Sequence, residues 1–136
     1  MSNGLQILSL AEALAEHSSA RQTLISRNVA HADTPGYRAT DLSPFSQTWQ
    51  AQEAVDDDGA FRPSATRPGH ATLGGGLWGP EPEETEVLGA SSPNGNSVSL
   101  EDQMVRAADV KMQHDLALGV WKKSLDILRA SMTAPR

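Results

Sequence analysis

A well-specified helix stop at residues 34–37 constrains the fold more than any other feature of the chain. Thr34 precedes a proline, which pushes its backbone out of the helical region. Pro35 presets φ to about −65° for the second turn position, and Gly36 supplies the positive φ that the third position of a type II turn requires. Tyr37 is then free to fold back onto the preceding helix. The sequence therefore defines the direction in which the chain leaves its first helix.

A long amphipathic helix is predicted before this stop. We expect it to begin between Asn3 and Ser9, because Ser9 and Glu12 fit a capping box. Apolar and small side chains recur along one side of it at spacings of three and four residues. This line consists of Leu8, Ala11, Leu14, Ala15, Ser18, Ile25, Val29 and Ala32. Gln22 interrupts the line, and the alanines allow a partner helix to approach closely.

A second long helix is predicted from Ser99, its N-cap, to about Met132. Glu101 and Asp102 lie in its first turn, where the helix dipole favours acids. Its length is about 50 Å, and its apolar residues fall on two roughly opposite sides. Stripe A consists of Leu100, Met104, Ala107, Leu118, Trp121, Leu125, Leu128 and Met132, with Lys111 and His114 in its gap. Stripe B consists of Val105, Ala108, Met112, Leu116, Val120 and Ile127.

A helix that is apolar on two sides has to be covered on two sides. We expect the first helix to cover one stripe. Since no third long helix is predicted, the other stripe is expected to meet another polypeptide. The alternative is a loosely covered hairpin with scattered exposed leucines, because single exposed apolar residues are ordinary. Gly119, in the middle of the helix, marks either a close-packing position or a tolerated defect.

The middle of the chain has a different composition. Residues 40–97 carry two basic and nine acidic side chains, a net charge of −7, and hold 8 of the 11 glycines and 6 of the 8 prolines. Such a segment buries too little apolar surface to offset its chain entropy. We predict that it is mostly irregular or disordered in the isolated protein, with a short helical piece over 48–55.

These patterns predict a mainly α fold in which the long N- and C-terminal helices pair as a coiled-coil-like hairpin. The predicted divisions are the helix and turn at 1–39, the acidic Gly/Pro-rich segment at 40–97 and the second helix at 98–136. The two flanking divisions form one helical unit. The acidic segment between them is predicted to be irregular or disordered in the isolated protein, and whether it orders on assembly stays open.

Composition and motifs argue against several functional classes. The absence of cysteine excludes disulfides and thiolate zinc sites, and the four histidines lack the spacing of metal ligands. The net charge of −6 argues against a nucleic-acid partner. No apolar run is long enough to span a membrane, and the N-terminus lacks the pattern of a cleavable signal peptide. With no complete catalytic, phosphate-binding or calcium-binding motif, we expect no enzyme, no cofactor and no small-molecule substrate.

Two motifs resemble the bacterial flagellar rod and hook proteins. Residues 26–39 (SRNVAHADTPGYRA) are similar to the family's N-terminal signature, Asn-Ile/Val-Ala-Asn-x-x-Thr-Pro-Gly-Tyr. Residues 95–101 resemble the Gly-Asn-x-Val-x-Leu-Glu sequence that opens the C-terminal helix of a rod protein. The turn motif assigned here consists of Asn28, Ala30, Asp33, Thr34, Pro35, Gly36 and Tyr37. The resemblance covers 5–42 and 93–132, and it departs from the family at His31, where a second asparagine is usual.

The resemblance implies a structural protein whose terminal helices pair and then pack beside neighbouring subunits. These subunits build a helical tube, the periplasm-crossing rod of the flagellar basal body, which transmits torque. The resemblance also implies export through the flagellar type III apparatus without a cleaved signal. The implied partners are copies of the chain, other rod proteins such as FlgC, the protein FliE and the export gate, with the membrane involved only through the basal body.

The apolar residues of both helices are the predicted helix–helix and subunit interface. They are Leu8, Leu14, Ile25, Val29, Leu100, Met104, Val105, Met112, Leu116, Leu118, Val120, Trp121, Leu125 and Leu128. Two alternatives stay open: a different rod protein such as FlgC, and a secretion-associated chaperone or adaptor that binds one amphipathic helix. Stoichiometry and location separate them, since a rod subunit fractionates with the basal body and a chaperone stays in a small cytosolic complex.

Overall fold

Two long helices dominate the computed structural model, which describes residues 2–50, 82–84 and 93–132. The N-terminal helix is Ser2–Ala30 and the C-terminal helix is Leu100–Met132. The end of the first contacts the beginning of the second, so the helices run antiparallel as a hairpin. The predicted mainly α fold with paired terminal helices is confirmed.

The N-terminal helix begins at Ser2, before the predicted range of Asn3 to Ser9. Ser9 is not a cap, because its Oγ donates a hydrogen bond to the Gln6 carbonyl over 2.9 Å inside the helix. A serine in a helix interior commonly satisfies its hydroxyl in this way. The capping box at Ser9 was therefore a wrong prediction.

The C-terminal helix has the predicted ends. Ser99 Oγ accepts a hydrogen bond from the Asp102 amide at 3.4 Å, and the Ser99 carbonyl accepts one from the Gln103 amide at 3.0 Å. These bonds identify Ser99 as the N-cap. The last helical residue is Met132, as predicted.

The two helices contact each other along lines with a seven-residue repeat. The buried line of the C-terminal helix consists of Gln103, Val110 and Ala117. The matching line of the N-terminal helix consists of Ala11, Ser18 and Ile25, which are also buried. A repeat of seven is the period of coiled coils, and the alanines and the serine on these lines allow the helix axes to approach closely.

The expectation that the N-terminal helix covers stripe A or stripe B was wrong. It packs on Gln103, Val110 and Ala117, which belong to neither stripe. The reason is that buried polar groups require partners, and the buried Asn28 at the end of the N-terminal helix finds one in Gln103. This polar contact and the small side chains fix the paired face, so both stripes stay largely exposed.

Part of the middle segment packs against the hairpin. Strand β1 (Thr40–Asp41) pairs antiparallel with strand β2 (Glu83–Glu84). Residues 45–50 are helical, so the helical piece predicted over 48–55 begins earlier than expected, and 51–55 lies outside the described residues. Most of 40–97, and with it the predicted irregular segment, also lies outside them.

One side of the hairpin is covered by the chain that follows the turn. Ala39 and Leu42 are buried there. The ring of Phe45 lies 5.6 Å from the ring of His17 and 5.9 Å from that of Trp49, measured between centroids. Across residues 2–50, 82–84 and 93–132, no helix combines the length and apolar content needed to cross a membrane.

Candidate functional site

The helix stop forms the turn that its sequence predicts. Gly36 has a φ of +71°, and the Tyr37 amide donates to the Thr34 carbonyl at 3.3 Å, which closes the turn. Pro35 occupies the position where its fixed φ is favourable. The Tyr37 hydroxyl donates to Asn28 Oδ1 at 3.2 Å, so the tyrosine does fold back onto the helix.

The segment before the C-terminal helix docks on this turn. The Gly36 amide donates to the Asn94 carbonyl at 3.1 Å, and the Ser97 amide donates to the Tyr37 carbonyl at 3.0 Å. Gly95 also has a positive φ, +78°, and a Cβ on it would lie 3.6 Å from the Gly36 Cα. We call this meeting place of the turn, β1, residues 94–97 and the adjoining helix ends the junction.

Asn28 uses its whole side-chain amide within the junction. Its Nδ2 donates to the Thr40 carbonyl at 2.8 Å and to Gln103 Oε1 at 3.1 Å. Its Oδ1 accepts the Thr40 amide at 3.1 Å and the Tyr37 hydroxyl. Because Asn28 is only 1% exposed, each of these bonds is made away from water. One side chain therefore ties the first helix to the turn, to β1 and to the second helix.

Asn96 binds the chain just beyond the N-terminal helix. Its Nδ2 lies 2.9, 2.7 and 2.8 Å from the carbonyl oxygens of His31, Ala32 and Thr34, and it donates to them. These carbonyls lie beyond the last helical residue, Ala30, and the Asn96 amide provides a donor for each of them. Its Oδ1 accepts the Val98 amide at 2.7 Å. Asn96 thereby fixes the start of one helix to the end of the other.

Asp41 is the centre of an ionic chain. Arg21 binds it with two hydrogen bonds, Nε to Oδ1 at 2.7 Å and the second guanidinium nitrogen to Oδ2 at 2.6 Å. Arg106 donates to the same Oδ2 at 2.7 Å and to Asp102 at 2.7 Å. The Leu42 amide donates to Oδ1. The charges of two arginines and two aspartates balance, so β1 is held between both helices.

The pKa of Asp41 is lowered by this arrangement. Burial alone raises it, since it disfavours the charged form. The hydrogen bonds and positive charge of Arg21, the Leu42 amide and Arg106 act in the opposite direction, and the net shift is below the ordinary value of 3.8. The carboxylate is therefore charged at neutral pH and holds both arginines.

His31 occupies the position where the family usually has asparagine, and its side chain contacts Tyr37 and Thr34. Its ring stacks on Tyr37 with centroids 4.7 Å apart and planes 18° from parallel. Its Nδ1 lies 3.2 Å from Thr34 Oγ1, a hydrogen bond whose direction depends on the tautomer. The turn therefore keeps its geometry without an amide at this position.

His17 lies under the covering segment. It is buried, and its Nε2 donates to the Ser43 carbonyl at 3.0 Å. Its Nδ1 is buried without a hydrogen-bond partner among the described residues. Burial lowers its pKa; the bond to Ser43 and the charge of Asp41 raise it, while Arg21 lowers it, and the net direction is down from 6.5.

The predicted motif residues are brought together, with Asn28 buried and Tyr37 half-buried. The tip of the turn is exposed and consists of Ala30, Asp33, Thr34, Pro35 and Gly36. The predicted interface residues, in contrast, are spread over the outside of the hairpin. Ile25 is buried and Leu8, Leu14 and Leu125 are half-buried. The exposed ones are Val29, Leu100, Met104, Val105, Met112, Leu116, Leu118, Val120, Trp121 and Leu128.

Sequence reasoning missed the polar members of the junction. Arg21, Gln103 and Arg106 were not selected, since a charged residue on a helix is usually solvated. Asp41 and Asn96 stand inside or beside the two motifs, and that position was the signal that could have found them. In the part of the chain that the structure describes, no three His, Asp or Glu side chains group as metal ligands.

Comparison with known proteins gives the context for this junction. No family model matches the chain. The flagellar basal body rod protein FlgB of Agrobacterium fabrum is 32% identical to it over 112 residues, which cover 82% of this chain and 81% of the relative. The chain belongs to the FlgB family of flagellar basal body rod proteins.

Membership of the FlgB family confirms the resemblance to flagellar rod proteins. It assigns the chain a structural role in the rod of the bacterial flagellum, and hence in motility. The two motifs that carried the resemblance meet at the junction, since Asn28 and the turn lie in one and Asn96 in the other. In this chain, the motif residues thus hold the helical hairpin together.

Proposed function

We propose that the chain is a subunit of the proximal flagellar rod that assembles through the exposed faces of its terminal helices. Its contacts would be copies of itself and other rod proteins such as FlgC, with FliE and the export gate as neighbours. The subunit would be exported without a cleaved signal and would form part of a helical tube that crosses the periplasm. Family membership supports the rod, and the surface of the hairpin supports the mode of assembly.

The exposed apolar surface of the C-terminal helix is the observation that carries this proposal. In stripe B, Val105 is 63% exposed, Met112 66%, Leu116 61% and Ile127 64%, and Met104 in stripe A is 70% exposed. These residues follow one another along a helix of about 50 Å. Large contiguous apolar patches are uncommon on monomers and mark interaction sites, so such a helix fits a subunit with neighbours on two sides.

The junction supports a role for the hairpin in resisting force. It joins the ends of both helices through Asn28, Asn96 and Asp41, whose bonds reach residues far apart in the chain. A hairpin fixed at one end presents its outer faces at a constant angle. Torque transmission requires subunits that do not yield when neighbours push on them, which is the property that this polar network supplies.

Substitution of the exposed stripe tests the proposal. Leu116→Asp and Val120→Asp place a charge where a neighbour would pack, and we expect both to abolish swimming while the purified subunit stays soluble and helical. Leu116→Met and Val120→Ile are the matched controls, because they keep both positions apolar and should leave swimming intact. Normal swimming by cells with both aspartate substitutions would contradict assembly through this face.

The location of the chain separates the alternatives. A rod subunit is recovered with purified basal bodies, whereas a chaperone or adaptor is recovered in a small cytosolic complex. Recovery solely in such a complex would overturn the rod proposal, even if the stripe substitutions abolished swimming.

A further inference from the structure

The hairpin has a groove along the side that the rest of the described chain leaves open. It has a volume of about 490 Å³ and lies between the two helices. Its lining comes from both helices and takes in one residue of each stripe, Ala107 of stripe A and Ala108 of stripe B. The other lining residues are Ser18, Ser19, Gln22 and Thr23 of the N-terminal helix and Val110, Lys111 and His114 of the C-terminal helix. Val110, which is 1% exposed, forms its floor. The groove therefore lies directly beside the buried contact between the two helices.

The opposite side of the same helix pair shows what such a groove accepts. There the helical residues 45–50 and the preceding residues lie against His17 and Arg21. Leu42 is buried beneath them and Phe45 packs on His17. A segment with Leu42 buried and Phe45 packed on His17 therefore occupies one side of the hairpin. The described chain offers nothing to occupy the other side.

The open groove carries one positive charge. Lys111 lines it, and no acidic side chain does. In the described part of the chain, Lys111 makes no ion pair with a carboxylate. A partner that brings acids beside an apolar ridge would match both the shape and the charge of this site.

Stripe B is complementary to this groove, because it is an apolar ridge bordered by acidic side chains. Its exposed apolar residues project from the C-terminal helix on the face turned away from the N-terminal helix. At 3.6 residues per turn, the exposed acids beside this ridge are Glu101, Asp109, Asp115 and Asp126, and Lys123 is the basic exception. The chain thus carries a groove lined by Lys111 and an acid-bordered apolar ridge, and the two surfaces adjoin at Ala108 on the C-terminal helix.

We propose that stripe B of one copy docks into the groove of a second copy. Because the two surfaces differ, the contact is heterologous, and repetition of it produces an open chain of subunits and not a closed dimer. This inference rests on the proposed rod function and specifies which two faces meet. The members of stripe A that do not line the groove are left for a different neighbour.

Engineered cysteines test this pairing directly, since the chain has no cysteine of its own. Thr23→Cys marks the groove and Leu116→Cys marks stripe B. In basal bodies from cells that carry both changes in one chain, oxidation should produce a ladder of dimers, trimers and larger species. Each single variant should give no ladder. The matched control pairs Leu116→Cys with Ala20→Cys, which is exposed on the N-terminal helix outside the groove, and should also give none.

A charge substitution tests the same contact without cysteines. Lys111→Glu should abolish swimming, because it places a negative charge opposite the acid-bordered ridge. Lys122→Glu, an exposed lysine of the same helix that does not line the groove, should leave swimming intact. Purified Lys111→Glu should keep the helical circular-dichroism signal of the wild-type chain, which separates a lost contact from a lost fold.

The outcomes distinguish this inference from the proposal on which it rests. Suppose that the wild-type chain is present in basal bodies, that the Thr23→Cys and Leu116→Cys pair gives no ladder, and that cells with Lys111→Glu swim normally. These results together overturn the groove contact and leave the rod role standing. A ladder of equal strength in the Ala20 control overturns it as well. Absence of the wild-type chain from basal bodies overturns both.

Discussion

Asn28 Nδ2 donates a hydrogen bond to Gln103 Oε1 over 3.1 Å, which joins the end of the N-terminal helix to the start of the C-terminal helix. The two residues are 1% and 3% exposed. A slide of one helix along the other would break this bond and leave Gln103 Oε1 and one N–H of Asn28 buried without partners, at a cost of about 1–3 kcal/mol for each group. This contact therefore fixes the register in which the hairpin presents its outer faces.

Removal of the Asn28 amide tests this role. We expect Asn28→Ala to lower the free energy of unfolding by about 2–4 kcal/mol, because Thr40, Tyr37 and Gln103 all lose a partner. Val29→Ala, at the neighbouring exposed position, should cost under about 1 kcal/mol. Urea denaturation followed by far-ultraviolet circular dichroism measures both. Equal losses for the two variants would show that the amide network does not stabilise the hairpin.

Two glycine substitutions are expected to change the stability of the protein in opposite directions. Gly36→Ala should destabilise the protein by about 1–2 kcal/mol, because its φ of +71° is unfavourable for a residue with a Cβ. Gly119→Ala should stabilise it by about 1 kcal/mol, since Gly119 lies inside a helix and nothing is within 4 Å of the added Cβ. Thermal unfolding of the purified variants gives both signs. A gain for Gly36→Ala would contradict the turn described above.

Asp41 should make stability fall in acid. Since its pKa is lower in the folded chain than the ordinary 3.8, its contribution is complete above pH 3.8 and is lost as the pH falls through the folded value. Asp41→Asn should therefore cost on the order of 2 kcal/mol at neutral pH, and its difference from the wild type should shrink below pH 3.8. Asp115→Asn, on the exposed helix surface, serves as the control. A constant difference at all pH values would contradict the ionic chain.

His17 should impose a second pH dependence at higher pH. Its pKa is lower in the folded protein than the ordinary 6.5, chiefly because of burial, so the unfolded chain binds the proton more readily. Stability is therefore highest above pH 6.5 and declines as the pH falls from 6.5 through the folded value. His17→Gln should flatten the dependence of the unfolding free energy on pH over this interval. An unchanged slope in His17→Gln would assign the pH dependence to another group.

The turn and the ends of the C-terminal helix could be predicted because their determinants are local. Thr34, Pro35 and Gly36 restrict their own backbone angles, and Ser99 caps the helix that follows it. Ser9 also has the chemistry of a cap. The residues before it nevertheless continue the helix, and its hydroxyl is satisfied by Gln6. A capping motif therefore predicts a helix start only where the preceding residues cannot be helical.

The packed face of the C-terminal helix could not be predicted from its apolar pattern. Stripes A and B are the more hydrophobic faces, yet the face that packs contains Gln103 and Ala117. Its selection depends on Asn28, which lies 75 residues before Gln103. Similarly, Asp41 binds Arg21 and Arg106, at distances of 20 and 65 residues along the chain. Such polar matches leave no periodic signal in either helix.

Recovery of the chain in purified basal bodies tests the central claim most directly. The gene is deleted, swimming and basal-body fractions are scored, and the deletion is then complemented with the wild-type chain. Our account predicts that the deletion abolishes swimming and complete basal bodies, and that the complementing chain restores both and is recovered in the basal-body fraction. Swimming cells with complete basal bodies after the deletion would contradict it.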